Sequence, residues 1–181
     1  MSFYKKYYSN IIKKDYLLKF NDYKLTNIPK INYIILKLDL MNMNNSRIIS
    51  SLFALELITN TPGTVYLPKK LKLNLSFKSG NPISCKVILR KKKLYEFMSL
   101  LFTVILPNLN NYNSIIITNK KNSIRNFILN LKHLTVFHDI EHGYQFFKHL
   151  KNLSIIFNVN NSSFNEFIFL FQSFKISIRS K

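Results

Sequence analysis

Apolar and polar positions alternate most regularly between residues 71 and 90. Leu71, Leu73, Leu75 and Phe77 alternate with Lys72, Asn74, Ser76 and Lys78, and Ile83, Cys85, Val87 and Leu89 alternate with Ser84, Lys86, Ile88 and Arg90. Successive side chains of a strand point to opposite faces, so each run has an apolar face for the core and a polar, basic face for something else. The pattern predicts a hairpin turning at "SGNP", residues 79–82. A second alternation, Ile34, Leu36, Leu38 and Leu40 against Tyr33, Ile35, Lys37 and Asp39, predicts a strand just past Pro29. Phe127, Leu129 and Leu131, and then Leu153, Ile155, Phe157 and Val159, predict two more.

Helical spacing fills the intervals. Tyr4, Tyr7, Tyr8, Ile11 and Ile12 recur on one side of an opening helix, with Lys5, Lys6, Lys13 and Lys14 around them. Ser46 is a candidate cap for a helix from Arg47 to about Asn60, ended by "TPG" at 61–63. Leu94 to Leu106 reads as a core helix stopped by Pro107, and a short helix is expected near Glu141 to Leu150. A capping-box pair, Ser163 with Glu166 three residues on, opens a last amphipathic helix carrying Phe164, Phe167, Ile168 and Phe171. The stretches 108–113 and 119–122 read as loops around the apolar run Ile115 to Ile117, and there is no internal repeat. Helices and strands in this order predict an α+β fold: a largely antiparallel sheet of about five strands, helices packed on one face, and a hairpin with one basic face. With 181 residues at 47% hydrophobic, residues 1–181 are expected to form a single domain.

Charge says what the free sheet face is for. Lys and Arg number 27 against 8 Asp and Glu, a net +19 that self-repels unless a polyanion neutralises it. Eighteen of the basic residues lie at or before Lys93 with only four acids, so nucleic acid should bind mainly the first half. AT-rich codons favour Lys, Asn, Ile, Phe and Tyr and account for part of the lysine excess, but not for its concentration. Cations at every second position of a strand can meet a periodic line of phosphates, and Lys72, Lys78, Lys86 and Arg90 have that placement. Lys91, Lys92 and Lys93 extend the same surface, although lysines there also suit a solvated helix start.

Other chemistry is thinly represented. Cys85 is the only cysteine and falls on an apolar strand position, which fits a core residue in a reducing compartment better than a nucleophile. His138 and His142 stand at i and i+4, but no third ligand is indicated by spacing, so no metal site is expected. Three glycines form no phosphate-cradling loop, and no nucleophile-elbow pattern or cofactor motif occurs. No stretch reaches the roughly 18 apolar residues that a membrane span needs.

The segment "FKSGNPISCKVILRKKKLYEF", residues 77–97, resembles the bacterial-type large-subunit ribosomal protein five family, the central-protuberance protein that binds 5S rRNA. That family carries a pattern like F-K-x-x-x-G-x-P-I-G-C-K-V-T-L-R-G, followed by W-E-F. Gly80, Pro82, Ile83, Cys85, Lys86, Val87, Leu89, Arg90, Glu96 and Phe97 fall in register, with Tyr95 where the family often has Trp. The similarity runs from "YYSNIIKKDYLLKF" in the opening helix, through "NIPKINYIILKL" and "TVILPNLNNY", to "NLSIIFNVNNSSFNEFIFLF" near the end. The chain departs from the pattern after the first strand, where Lys37, Asp39, Leu40 and Met41 replace a turn used on 5S rRNA. It also departs at Asn74, Ser84 and Lys91, each standing where the family has glycine.

The resemblance implies a structural constituent of the large ribosomal subunit, with no catalysis and no cofactor. Its partners would be large-subunit rRNA, 5S rRNA where present, peptidyl-site tRNA and neighbouring ribosomal proteins, including a small-subunit head protein met at an intersubunit bridge. Lys30, Lys37, Lys72, Lys78, Lys86, Arg90, Lys91, Lys92 and Lys93 are the expected rRNA contacts, and Lys69, Lys70 and Lys72 the expected tRNA-contacting loop. AT-rich coding and an opening segment unlike an Arg-rich presequence suggest synthesis inside the organelle, on a mitochondrial ribosome in the matrix, with no membrane partner. An RNA-processing enzyme or free RNA chaperone with a basic sheet face is the competing reading. It would call for a carboxylate or histidine cluster on that face, where the alternation places none.

Overall fold

The computed structural model describes residues 3–20, 28–40, 45–67, 83–109, 115–117, 124–174, 176 and 178–180. The chain opens with helix α1 (Phe3–Tyr7), a π-helical turn (Tyr8–Ile12) and α2 (Lys13–Phe20), then β1 (Ile31–Asp39), α3 (Asn45–Thr59), β2 (Thr64–Tyr66) and β3 (Ser84–Leu89). It continues with α4 (Lys91–Leu100), a second π-helical turn (Leu101–Ile105), α5 (Leu106–Asn108), β4 (Ile115–Ile117) and β5 (Ile124–His133). A 3₁₀ turn (Leu134–Val136), α6 (His138–His142), α7 (Tyr144–Phe147), β6 (Lys151–Ser162), α8 (Phe164–Ser173) and β7 (Ile178–Ser180) complete it.

The fold is α+β, with an open antiparallel sheet of five strands in the order β2-β3-β1-β6-β5. The alternations place its buried face as expected: Ile34, Leu36, Leu38 and Leu40 on β1 and beyond, Cys85, Val87 and Leu89 on β3, and Leu153, Ile155, Phe157 and Val159 on β6 are all buried. β4 and β7 form a separate parallel pair, Ile115 opposite Ile178. The first strand of the predicted hairpin, 71–78, lies outside the described residues. Its second strand is β3, which pairs with β1 on one side and antiparallel with β2 on the other, Thr64 opposite Lys86 and Tyr66 opposite Ser84. Three residues, "TVY", are too short to display a period, so alternation does not mark β2.

Three local expectations need correction. α3 already begins at Asn45, so Ser46 lies in its first turn and is not the cap. The C-terminus instead has a clear device: Asn60 adopts a left-handed backbone, φ 49°, and its N–H bonds the Glu56 carbonyl at 2.7 Å. The single helix expected near Glu141 to Leu150 is two short helices broken at Gly143, where a Cβ would stand 2.8 Å from the Phe147 ring. Ser84, expected on the polar face, is buried. The capping box before α8 forms as read: Ser163 Oγ accepts from the Glu166 N–H at 3.4 Å, and Glu166 Oε2 accepts from the Ser163 N–H at 3.0 Å.

The chain divides into two compact units. One comprises Met1–Ile34, Leu89–Phe127 and Phe157–Lys181, the other Ile35–Ile88 and Ile128–Ile156, so β1, β3, β5 and β6 contribute residues to each. In the first unit the opening helix buries Tyr8, Ile12 and Tyr16. A step of four residues overshoots an α-helical turn of 3.6 by about 40°, and the wider i→i+5 turn at Tyr8–Ile12 takes up that surplus. An aromatic cluster holds α8 to the strands: Phe171 meets Phe127 edge-on at 5.3 Å and Phe157 at 5.6 Å. In the second unit Ala54, Leu55 and Ile58 of α3 join Val87, Phe137, Ile140 and Phe147 in the core.

Candidate nucleic-acid interface

In the second unit the polar face carries Lys86 and Lys37. Antiparallel pairing of β2 with β3 makes Tyr66 and Lys86 diagonal neighbours, and Lys86 Nζ lies 4.9 Å from the Tyr66 ring centre. The ring faces a cation that remains available to a second, anionic partner. Lys37 is differently placed: its Nζ is 2.7 Å from Asp39 Oδ1, two positions along the same strand face. A phosphate at Lys37 has to compete with that carboxylate, whereas one at Lys86 does not.

In the first unit Arg90 stands between β3 and α4, its guanidinium 5.7 Å from the Tyr33 ring centre. Lys91, Lys92 and Lys93 follow in the first helical turn, which contains no acid. Cations at a helix N-terminus oppose the macrodipole and crowd the unsatisfied N–H groups, so an anion there is favoured twice over. Glu96 supplies a loose internal counter-charge, 3.5 Å from Lys92 and 3.8 Å from Lys93, on exposed side chains where such pairs contribute little. Lys30 is exposed before β1 and its backbone is fixed by Asn160: the Lys30 N–H donates to Oδ1 at 2.7 Å, and the Asn160 N–H donates to the Lys30 carbonyl at 3.1 Å.

Sequence reasoning missed an uncharged part of this face. Asn32 Nδ2 donates to Asn158 Oδ1 at 3.2 Å, and Asn158 Nδ2 donates to Asn126 Oδ1 at 2.8 Å, so a row of amides crosses β1, β6 and β5. The signal available was the alternation of Asn158 and Asn160 with buried Phe157 and Val159. Tyr33 and Tyr66 were also missed as ring partners of the cations. Burial pushes the Tyr4, Tyr8 and Tyr95 phenols above their ordinary value, and the Tyr8 hydroxyl donates to the Pro29 carbonyl at 3.0 Å. These tyrosines stay neutral and do not subtract from the positive field. Lys69, Lys70, Lys72 and Lys78 lie outside the described residues.

The remaining candidates are structural. Cys85 is buried and accepts from Ser51 Oγ at 3.1 Å, and burial pushes its thiol up, the opposite of what a nucleophile needs. His138 and His142 meet with Nε2 atoms 3.2 Å apart, but among the described residues no group of three or more His, Cys, Asp or Glu side chains could hold a metal. No described helix is long and apolar enough to cross a membrane.

Comparison with known proteins decides the family. The sequence profile of the C-terminus of the ribosomal protein five (uL5) family matches residues 82–178. "Large ribosomal subunit protein uL5m" of Reclinomonas americana is 30% identical over 179 residues, covering 98% of each chain. The chain belongs to the ribosomal protein five family. Membership makes it a structural constituent of the large ribosomal subunit and not an enzyme. It also gives a physical reading of one departure: Lys91, where the family pattern has glycine, holds φ at 51°, the left-handed region that glycine enters without cost.

Proposed function

We propose that the protein serves in the large subunit of a mitochondrial ribosome, where it binds rRNA of the central protuberance, including 5S rRNA where that molecule is present. Residues 1–181 work as one ribosomal-protein domain. Arg90, Lys91, Lys92, Lys93 and Lys30 in one unit, and Lys86 in the other, meet phosphates, with Lys37 contributing once Asp39 is displaced. The observation that carries the reading is the end-to-end similarity to the mitochondrial uL5m of Reclinomonas americana. The cation–ring pairs Arg90–Tyr33 and Lys86–Tyr66 support it, because among the described residues neither cation is paired with a carboxylate. The family resemblance supports two finer contacts: Lys69, Lys70 and Lys72 on peptidyl-site tRNA, and a small-subunit head protein at an intersubunit bridge. The lysine, asparagine and isoleucine content favoured by AT-rich coding supports synthesis inside the organelle.

Gradient sedimentation of a mitochondrial lysate, with sequencing of RNA crosslinked to the protein, tests this. Co-sedimentation with the large subunit and crosslinks to its rRNA are expected. A protein found mainly in a ribosome-free pool, or crosslinked to unrelated transcripts, would overturn it.

A further inference from the structure

The second unit carries a cationic and aromatic surface on its helices, in addition to the basic strand positions. α7 buries only Phe147; Phe146 is 73% exposed and Tyr144 53% exposed. Phe147 stacks on Phe53 of α3 at 6.0 Å, and Phe53 is itself 54% exposed. Between the two helices, Ser50 Oγ donates to the Arg47 carbonyl at 3.0 Å and lies 2.9 Å from His149 Nε2. In the tautomer that carries the proton on Nε2, which suits a hydroxyl donating to the carbonyl, the imidazole keeps an acceptor lone pair on Nδ1. Arg47 from α3 and Lys148, which follows α7, both act electrostatically on this same ring, so two positive charges meet at the imidazole. The exposed acids of the flanking elements are Asp139 and Glu141 on α6 and Glu56 on α3, three residues beyond Phe53.

Exposed rings beside converging cations match what a single-stranded nucleic acid needs: a stacking platform for a base and positive charge for the flanking phosphates. A protein partner fits less well, because interface cores are depleted in charge, and a membrane fits less well because α7 offers only one helical turn. We propose that the α3–α7 surface is a further RNA-binding site that takes one unstacked base on Phe146, with Arg47 and Lys148 on the adjoining phosphates and His149 Nδ1 accepting from a ribose 2′-hydroxyl. The proposal rests on the reading of the chain as an rRNA-binding protein and adds a site to it.

The test uses the full chain, a short single-stranded RNA carrying 2-aminopurine, the same strand with an abasic site, and the DNA counterpart. Phe146→Ala is expected to weaken the base-containing RNA about 5- to 150-fold, the loss of one base–aromatic stack, with no effect on the abasic strand. Phe146→Tyr should restore both binding and fluorescence quenching. Arg47→Gln with Lys148→Gln should flatten the log–log salt slope by about 1.4, and His149→Phe should abolish the preference for RNA over DNA. Thermal melts check that the exposed Phe146 position leaves folding unchanged. Equal affinity of wild type and Phe146→Ala for both RNA strands overturns the proposal. So does a result in which Phe146→Ala loses only binding to phosphatidylcholine–cardiolipin vesicles, which would make the surface a membrane contact. Co-sedimentation of wild type with the large subunit separates the two failures: a neutral Phe146→Ala in a protein that co-sediments removes this site alone, while wild type that binds no RNA and does not co-sediment removes the underlying reading.

Discussion

Arg90 presents its guanidinium to the face of Tyr33 at 5.7 Å, so the residue that follows β3 is held by a ring on β1 and, among the described residues, by no acid. The cation is thereby oriented without being neutralised. Tyr33→Leu should cost at most about 1 kcal/mol of stability, the scale of an exposed cation–π contact, yet weaken rRNA binding by loosening Arg90. Arg90→Gln and Lys86→Gln together should lower the log–log salt slope by about 1.4 to 1.8 for two phosphate contacts. Filter binding across a salt series reads both, and parallel lines for wild type and double variant would refute the assigned phosphate contacts.

Lys91 holds φ at 51° at the start of α4. A side chain in that region costs on the order of 1 kcal/mol, which glycine avoids. Lys91→Gly should therefore stabilise the isolated protein by up to about 1 kcal/mol, while removing a cation and weakening RNA association. Urea unfolding together with RNA binding checks the opposed signs; a destabilised variant would show that the lysine side chain contributes to the fold.

Ser84 is 1% exposed, and among the described residues its Oγ has no hydrogen-bond partner. A buried, unsatisfied hydroxyl costs about 1–3 kcal/mol. Ser84→Ala is expected to raise the denaturation midpoint without changing the urea m-value, and a lowered midpoint would mean that the hydroxyl is satisfied in solution.

His149 is shifted below its ordinary value of 6.5 first by burial and then by Arg47 and Lys148. Its neutral form is the one the fold favours, so the unfolded chain binds more protons than the native one as pH falls. The associated stability is fully present above about 6.5 and is lost as pH falls through the lower folded value. Arg47→Gln should move the imidazole titration upward in an NMR pH series, and His149→Gln should flatten the acid arm of stability against pH; an unmoved titration would remove Arg47 from the causes.

The strands were legible because one face is buried, which writes a period of two into Ile34 to Leu40 and Cys85 to Leu89. The capping box was legible because both partners lie within one turn. The opening helix was only half legible. Tyr4, Tyr7, Tyr8, Ile11 and Ile12 all suit an α-helical face, but the π turn selects Tyr8 and Ile12 for the core and leaves Ile11 exposed, a choice made by distant packing partners. The β4–β7 pair joins residues about sixty positions apart through three-residue strands, too short for any pattern. In the interface, charge pointed to the lysines, but the rings and amides that position them depend on cross-strand neighbours that only the register reveals. Lys37 shows the converse: its sequence neighbour Asp39 occupies it, which a two-residue spacing on a strand already allows.

The amide row Asn32–Asn158–Asn126 spans three strands at the point where the buried side of β1 changes step: Ile31 and Ile34 are buried while Asn32 between them is exposed. Where the alternation breaks, burial no longer pins the register, which elsewhere is enforced because a shift by one residue exchanges the two faces. The central amide both gives and takes, so a slide of any one strand breaks the row. The asparagines thus act as a mechanical latch that keeps Lys30 and Tyr33 at fixed heights above the sheet before any RNA arrives, and because the latch is uncharged, it should hold in salt concentrations that strip the phosphate contacts away.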